Sequence, residues 1–322
     1  MKCEILDYKT EASWNLDEFL SEPNFKSQID PTWPLVVTTL SSVAENGPEM
    51  IMGDYLAGKR RGKPSSLRSG TIHSTISKVG EHLGMSRQIF NVQAACASSL
   101  YAFYVASMMS LDAQTPVVLF AGDNANDYAI WHFRSFGALD QDTGRPFDKS
   151  SLGFRMGTGM ALYIIKHPSV KSKLDPKAVI QDFAFFTKPE LIANPGSVDE
   201  MVANLSHLNY KDVDLWNAHA TGTAIGDQAE YEYFAKTVKQ DIPIVSFKGH
   251  IGHCMAAAGA MEIAMALDCK KNNMLLPNVI VGEKMVNDDR IITEPTSFTY
   301  KKMLKASLGF GGTTIIAEID LL

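Results

Sequence analysis

Cys96 stands in the stretch Phe90-Asn-Val-Gln-Ala-Ala-Cys96-Ala-Ser-Ser-Leu100, and its neighbours suit a thiol that does chemistry. Gln88 to Ala94 reads as a short strand. Ala97 to about Leu111 reads as a helix, in which Leu100, Tyr101, Phe103, Tyr104, Val105, Met108 and Met109 leave almost no polar face. A helix apolar all round is buried. Cys96 is therefore expected at a sharp strand-to-helix turn, at the positive end of a buried helix dipole, which favours the thiolate. The small residues Ala94, Ala95, Ala97, Ser98 and Ser99 let a substrate approach the sulfur. The arrangement resembles the strained elbows that present nucleophiles in unrelated hydrolases. A small thiol packed in a core is the other reading of this stretch alone.

Three further stretches carry chemistry: Asn217-Ala-His219-Ala-Thr221-Gly-Thr223, Lys248-Gly-His-Ile-Gly252-His253 with Gly259 beyond it, and Leu308-Gly-Phe310-Gly311-Gly312-Thr313. His219 and His253 each read as ending a strand and entering a turn rich in glycine or alanine, where glycine permits positive φ and close approach. One histidine alone is more often structural. Two at equivalent strand ends, with a poised cysteine, are harder to explain as packing. His250, His253 and Cys254 lack a second pair of compatible ligands, so no metal is expected. The glycines of 309–312 lack the spacing of a nucleotide-binding fingerprint.

The positioning elements alternate. Leu35–Leu40, Pro116–Gly122 and Met160–Ile165 read as strands, the second buried on both faces. Glu49–Ala57 and Gly70–Leu83 read as helices, with a basic loop at Gly58–Pro64 between them; residues 1–34 show little pattern. His167–Lys177 reads as a connector. Beyond it come a strand at Ala178–Phe186 and a helix at Val198–Leu208 with Ser197 and Glu200 spaced as a capping box. A strand at Val213–Ala218, a helix at Asp227–Val238 and a strand at Ile242–Phe247 follow. A small-residue helix at Met255–Cys269 and closing strands within Ala306–Ile319 complete the series. This alternation argues an α/β fold with buried parallel sheets in two similar halves, residues 1–167 with the cysteine and 168–322 with both histidines.

The chain has 322 residues, 45% hydrophobic, with a formal net charge of −6. That is enough for a large core and gives no general electrostatic drive toward nucleic acid or an anionic membrane. Four scattered cysteines suit a reducing compartment. Met1–Glu11 is charged and lacks the apolar region of a secretory signal, and no apolar run reaches a membrane span, so a cytoplasmic location is expected.

Together with Arg145-Pro-Phe-Asp148, Gly153 and Gly157-Thr-Gly159, the four stretches resemble the β-ketoacyl synthase family, the condensing enzymes of fatty-acid and polyketide assembly. The resemblance runs over roughly residues 70 to 322, with the motifs in the family's order. It implies a thiolase-like fold of duplicated halves in five α-β-α-β-α layers, usually dimeric, with a partner that is a second copy or another ketosynthase-like subunit. It implies Cys96 as the nucleophile that takes an acyl chain from acyl carrier protein, and His219 and His253 as the groups for decarboxylating a malonyl thioester. By the same resemblance Lys248 organises the histidines, Asp227 and Glu230 support them, Thr221 and Thr223 meet the phosphopantetheine arm, and Phe310 with Gly311 gates the nucleophile. No cofactor is implied. Two histidines match the elongating branch, since the initiating branch uses Cys-His-Asn and thiolases add a second cysteine.

Three departures stand out. The region before Cys96 is short for the family and lacks a recognisable opening strand. Thr158 replaces a usual Glu. Leu308 and Thr314 replace a usual Phe and Asn. Two alternatives follow from them and from the shared fold: a chain-length-type partner subunit, or an acyltransferase using CoA or carrier thioesters. Phe133 and Phe136 are expected in core packing rather than in an acyl pocket.

Overall fold

The computed structural model describes residues 1–40, 58, 71–86, 88–140, 142, 144–188 and 197–322. The helix expected at Glu49–Ala57 and, Gly58 apart, the basic loop that follows lie outside the described residues. The described chain runs β1 (Cys3–Glu11), α1 (Leu16–Ser21), α2 (Pro23–Lys26), β2 (Leu35–Thr38), α3 (Ile72–Leu83), β3 (Ile89–Asn91), α4 (Ser98–Ala113), β4 (Val117–Asp123), α5 (Asp127–Ser135) and β5 (Gly159–Lys166). It continues through β6 (Ala178–Thr187), α6 (Val198–Asn204), β7 (Leu215–Asn217), α7 (Ala224–Thr237), β8 (Ile244–Val245), α8 (Lys248–Ile251), α9 (Ala258–Lys271), β9 (Met274–Leu275), β10 (Thr296–Ser297), β11 (Lys302–Gly309) and β12 (Thr313–Leu321).

Side-chain alternation along the central strands builds three cores. Val117, Leu119 and Ala121 of β4 face one way, with Ala161, Tyr163 and Ile165 of β5. Val118 and Phe120, with Met160, Leu162 and Ile164, face the other way against α1 and α3. In the second half Met303, Ile315 and Ala317 face inward, while Leu304, Ala306 and Ile316 face α6 and α7. Helices α4 and α9 lie in the middle, touching strands of both halves. The layers are α-β-α-β-α. Strands buried on both faces need not alternate polar and apolar residues, which is why β4 and β5 read as continuous apolar runs.

The strand order is β3-β2-β4-β5-β1-β6-β12-β11-β7-β8. Numbered within their own halves, the two sets of five have the same order, third-second-fourth-fifth-first. The pairing senses also agree: β2 is parallel to β3 and β4, as β7 is to β8 and β11, while β5 is antiparallel to β4 and β1, as β12 is to β11 and β6. The backbone thus shows a repeat that residue identities do not.

Strand β1 corrects the expectation that the opening strand is missing. Its sequence, Cys-Glu-Ile-Leu-Asp-Tyr-Lys-Thr-Glu, is too charged to read as a buried strand, yet it lies between β5 and β6 and joins the two sheets. A register shift between Ile5 and Asp7 resets the alternation, so that Tyr8 rather than Asp7 packs on the side of Cys3 and Ile5, while Leu6 enters the outer core. Helix α4 is corrected at its far end, where Met108 and Leu111 are exposed rather than buried. Of the capping box at α6, only half forms: the Glu200 carboxylate accepts the Ser197 N–H, and the Ser197 hydroxyl caps nothing.

Candidate active site

The elbow at Cys96 is present. Ala95 takes φ of 48°, a left-handed conformation unusual for a residue with a Cβ and of the kind that stores strain at functional sites. Ser98 fixes the turn: its hydroxyl accepts the Ala94 N–H at 2.7 Å and donates to the Ala95 carbonyl at 2.5 Å. The result puts Cys96 two residues before the start of α4, just ahead of the N-cap Ala97, with its sulfur facing the backbone N–H groups of Phe310 and of Cys96 itself.

The thiol does not ionise easily, contrary to the expectation from the helix dipole. Burial pushes Cys96 up to about 12, against the lowering effect of the Lys248 charge and of the two N–H groups. Desolvation outweighs the dipole because the side chain is almost wholly enclosed. Alkylation of Cys96 by iodoacetamide, followed by intact mass, is therefore expected to rise about tenfold per pH unit from about pH 7 to 9. A plateau within that range would contradict the burial argument.

His219 and His253 converge on the same space, their ring centroids 5.4 Å apart and nearly perpendicular. His219 follows β7, as expected. Two carboxylates of α7 hold its turn by backbone N–H groups. Glu230 accepts from His219 and Ala220, each at 2.7 Å, and from the Trp216 indole. Asp227 accepts from Thr221 at 2.8 Å, from Gly222 and from Phe147. Gly222 has φ of 100°, and a Cβ there would lie 2.6 Å from the Gly153 carbonyl, so glycine is required twice over. The Phe147 contact also explains Arg145-Pro-Phe-Asp148, a turn that docks on the histidine loop. Burial raises both carboxylates, and the N–H donors oppose the rise.

These bonds set an expected result for Glu230→Gln. An amide has one acceptor oxygen, and its NH₂ faces a backbone donor. Leaving a buried donor unpaired costs about 1–3 kcal/mol. Chemical denaturation should show a loss of this order, and an unchanged midpoint would contradict the hydrogen-bond assignment.

His253 does not end a strand. It follows α8 and the bend at Gly252, and backbone pairing positions it. Its N–H donates to Arg155 O at 2.7 Å, and its carbonyl accepts from Gly157 at 3.0 Å. A Cβ on Gly157 would lie 2.1 Å from the Ile251 carbonyl, so the pairing depends on a bare α-carbon. Both rings have Nδ1 buried without a hydrogen-bond partner, which leaves Nε2 to meet a ligand. Burial and the Lys248 charge hold both histidines well below the ordinary value, so both are neutral at pH 7.

Beneath them lies a group of charges that sequence reading missed in part. Lys248 meets Glu262 Oε1 of α9 at 2.6 Å, off the line of a hydrogen bond. Glu262 Oε2 accepts from Lys305 of β11 at 2.7 Å. All three are buried. Asp123, also missed, accepts from Leu40 N and Ala256 N and ties the end of β4 to the segment behind His253.

One cavity of about 930 Å³ takes in Cys96, His219, His253, Thr221, Thr223 and Phe310. Thr221 and Thr223 hydroxyls lie 3.1 Å apart on its wall. Gly311 does not line it; that glycine sits in the β11–β12 turn with φ of 88°. Phe133 and Phe136 line the cavity, contrary to the expectation of core packing, and Phe136 is 65% exposed. The Phe133 ring lies 5.7 Å from Phe310. Leu308 also lines the cavity, Thr158 bonds Asn124 and Ala125, and Thr314 is buried. His250 points away, to the Pro277 carbonyl. Among the described residues no group of three or more His, Cys, Asp or Glu could hold a metal, and no helix could cross a membrane.

The described atoms thus offer a thiol, two N–H groups facing it, and a neutral imidazole pair across one cavity. Family models for the β-ketoacyl synthase N-terminal domain and C-terminal domain match residues 38–170 and 185–281. A non-reducing polyketide synthase of Aspergillus terreus is 28% identical over 228 residues, 65% of the chain and 8% of that protein. The chloroplastic 3-oxoacyl-[acyl-carrier-protein] synthase I of Arabidopsis thaliana is 26% identical over 276 residues, 79% of the chain and 58% of that protein. Among solved structures, a β-ketoacyl synthase of Burkholderia phymatum STM815 superposes with a TM-score of 0.78 at 20% identity, over 90% of this chain and 76% of that one. The ishigamide ketosynthase/chain length factor superposes with a TM-score of 0.80 at 13% identity, over 100% and 99%.

Proposed function

The chain belongs to the β-ketoacyl synthase family, and on that premise we propose that it catalyses decarboxylative Claisen condensation between an acyl thioester and malonyl-acyl carrier protein. The convergence of Cys96, His219 and His253 on one cavity carries this reading.

In the first half-reaction the Cys96 sulfur attacks the acyl thioester carbonyl. The oxyanion lies within reach of the Cys96 and Phe310 N–H groups. The carbon–sulfur bond to the carrier breaks, and the carrier thiol leaves with the proton that Cys96 gives up. In the second, the malonyl carbon–carbon bond breaks, carbon dioxide leaves, and its electron pair forms an enolate. His219 and His253 donate to the enolate oxygen. The enolate carbon attacks the acyl group on Cys96, and the thiolate released takes up a proton. Neutral imidazoles suit this role, since each donates without first losing a charge. The apolar lining of the cavity, with Phe133, Leu308 and Phe310, limits water around the acyl-enzyme. No step calls for a resident cofactor. The substrates arrive on the phosphopantetheine of a carrier protein, along the wall of Thr221 and Thr223.

Acyl carrier protein is the partner this reading requires, and a second ketosynthase-like subunit or a second copy is the assembly partner. The setting is the cytoplasm. Purified protein with acyl- and malonyl-carrier should release carbon dioxide and form a 3-oxoacyl product. If it does neither alone but activates a second synthase, the chain-length-type partner replaces this reading. If CoA thioesters serve fully without a carrier, the acyltransferase does.

A further inference from the structure

Lys305 takes no part in any step above, yet it is fully buried beneath the histidine pair. It sits on β11 opposite Asn217 of β7, the strand that leads into His219. Its ammonium donates to Glu262 Oε2 at 2.7 Å, to the Ala218 carbonyl at 3.2 Å and to the Ala306 carbonyl at 2.7 Å. Ala218 precedes His219. Glu262 is the carboxylate that also meets Lys248. Glu230, also buried, acts by charge on both lysines, so two acids stand against two cations. Burying an ion costs several kcal/mol unless it is paired and hydrogen-bonded, and Lys305 is both.

We propose that Lys305 is a positioning residue of the condensing site: it fixes the peptide that carries His219, fixes Glu262 and through it Lys248, and adds a second positive charge behind the imidazoles. The inference rests on the condensing reading given above. The Lys305 charge disfavours a protonated imidazole and favours the enolate, which places negative charge at the same spot. Burial lowers the Lys305 ammonium to about 8 against the pull of Glu262, so it remains charged at neutral pH. The charges acting on the histidines are Lys305 on β11 and Lys248 on α8, with His253 acting on His219; Cys96 at the elbow and Asp227 and Glu230 on α7 share their cavity.

Two variants separate charge from packing. Lys305→Met keeps the length of the side chain and removes the charge. Decarboxylation kcat is expected to fall at least about tenfold, the order expected from one lost charge interaction near the reacting oxygen. KM for malonyl-carrier and the rate of Cys96 acylation should stay within about twofold. The acid limb of the decarboxylation profile should move to higher pH, because the histidines protonate more readily with one cation fewer. The double variant Lys305→Met/Glu262→Gln removes one charge of each sign and leaves Lys248 without its carboxylate. Its acid limb is expected to lie below that of the single variant.

Equal losses in both half-reactions with no movement of the limb would overturn the proposal. So would a double variant shifted as far as the single one. If Lys305→Met does not fold, Lys305→Gln, which can still donate to the Ala218 carbonyl, is read in its place: an upward shift of the limb supports the proposal and an unmoved limb overturns it. Histidine NMR titration of His219 and His253 reads the same shift without turnover. An inactive parent defeats the condensing reading, while an unchanged titration in Lys305→Met defeats this one.

Discussion

Cys96→Ala is expected to accept no acyl group and to lose condensation by roughly 10⁴- to 10⁶-fold, the order seen when a nucleophile is removed from a site that keeps its other parts. The sulfur is the atom in the cavity that faces two backbone N–H groups across the elbow. No rearrangement of the alanine variant supplies another: Cys254, the other buried thiol near the histidines, lies behind Gly157 and Gly159, within 3.0 and 3.2 Å of where their Cβ atoms would be, and does not line the cavity. The same variant should still decarboxylate malonyl-carrier, because the enolate oxygen is met by imidazoles and not by sulfur. Intact mass with acyl-carrier checks the first result, and carbon dioxide release checks the second. An alanine variant that is still acylated would place the nucleophile elsewhere.

His219→Ala and His253→Ala are each expected to lower decarboxylation by about 10²- to 10³-fold, the loss found when one donor is removed from an oxyanion site. Acylation of Cys96 should survive, since its oxyanion is met by N–H groups of Cys96 and Phe310. The direction of the histidine shifts adds a pH test. Both lie below the ordinary value of 6.5, so the active neutral form persists as pH falls through 6.5 and is lost only further down. The parent enzyme's decarboxylation should be flat from about pH 7.5 to 6.5. An acid limb at or above 6.5 would mean that the rings are not buried beside cations. A loss of acylation equal to the loss of decarboxylation would mean that the variants disturb the elbow instead.

Much of this site was legible because buried elements leave plain marks. The apolar runs of α4, β4 and β5 follow from strands covered on both faces and a helix enclosed between sheets. Cys96, His219, His253 and Lys248 stood out because their types and their glycine-rich turns have little use in packing. What escaped did so for physical reasons. Strand β1 carries charges because it lies at the junction of the two halves, where Glu4 pairs with Lys166 and Asp7 with Lys177. The sequence puts His253 at a strand end because a strand reads over Ile242–Phe247 before it, whereas its pairing with Met156 joins segments far apart in sequence. Phe136 reads as core because residue type alone does not separate an exposed phenylalanine at a cavity mouth from a packed one.

Glu262 and Lys305 do leave a mark in the sequence. Each is the single charged residue inside an apolar stretch, Ala260-Met-Glu262-Ile-Ala-Met-Ala and Met303-Leu-Lys305-Ala-Ser-Leu. A lone acid in a buried helix and a lone base in a buried strand require each other. The low thiol pKa expected for Cys96 failed for a related reason: a helix terminus lowers it by a fraction of what full burial raises it.

The most direct measurement is a single turnover of acyl-Cys96 protein with malonyl-acyl carrier protein. The protein is acylated first, freed of donor, and its mass followed as malonyl-carrier is added. The expected result is loss of the acyl mass from Cys96 together with one equivalent of carbon dioxide and one of 3-oxoacyl-carrier. An acyl group that stays on Cys96, or that leaves as the free acid without carbon dioxide, would contradict the claim that thiol and histidines act on one substrate in one cavity.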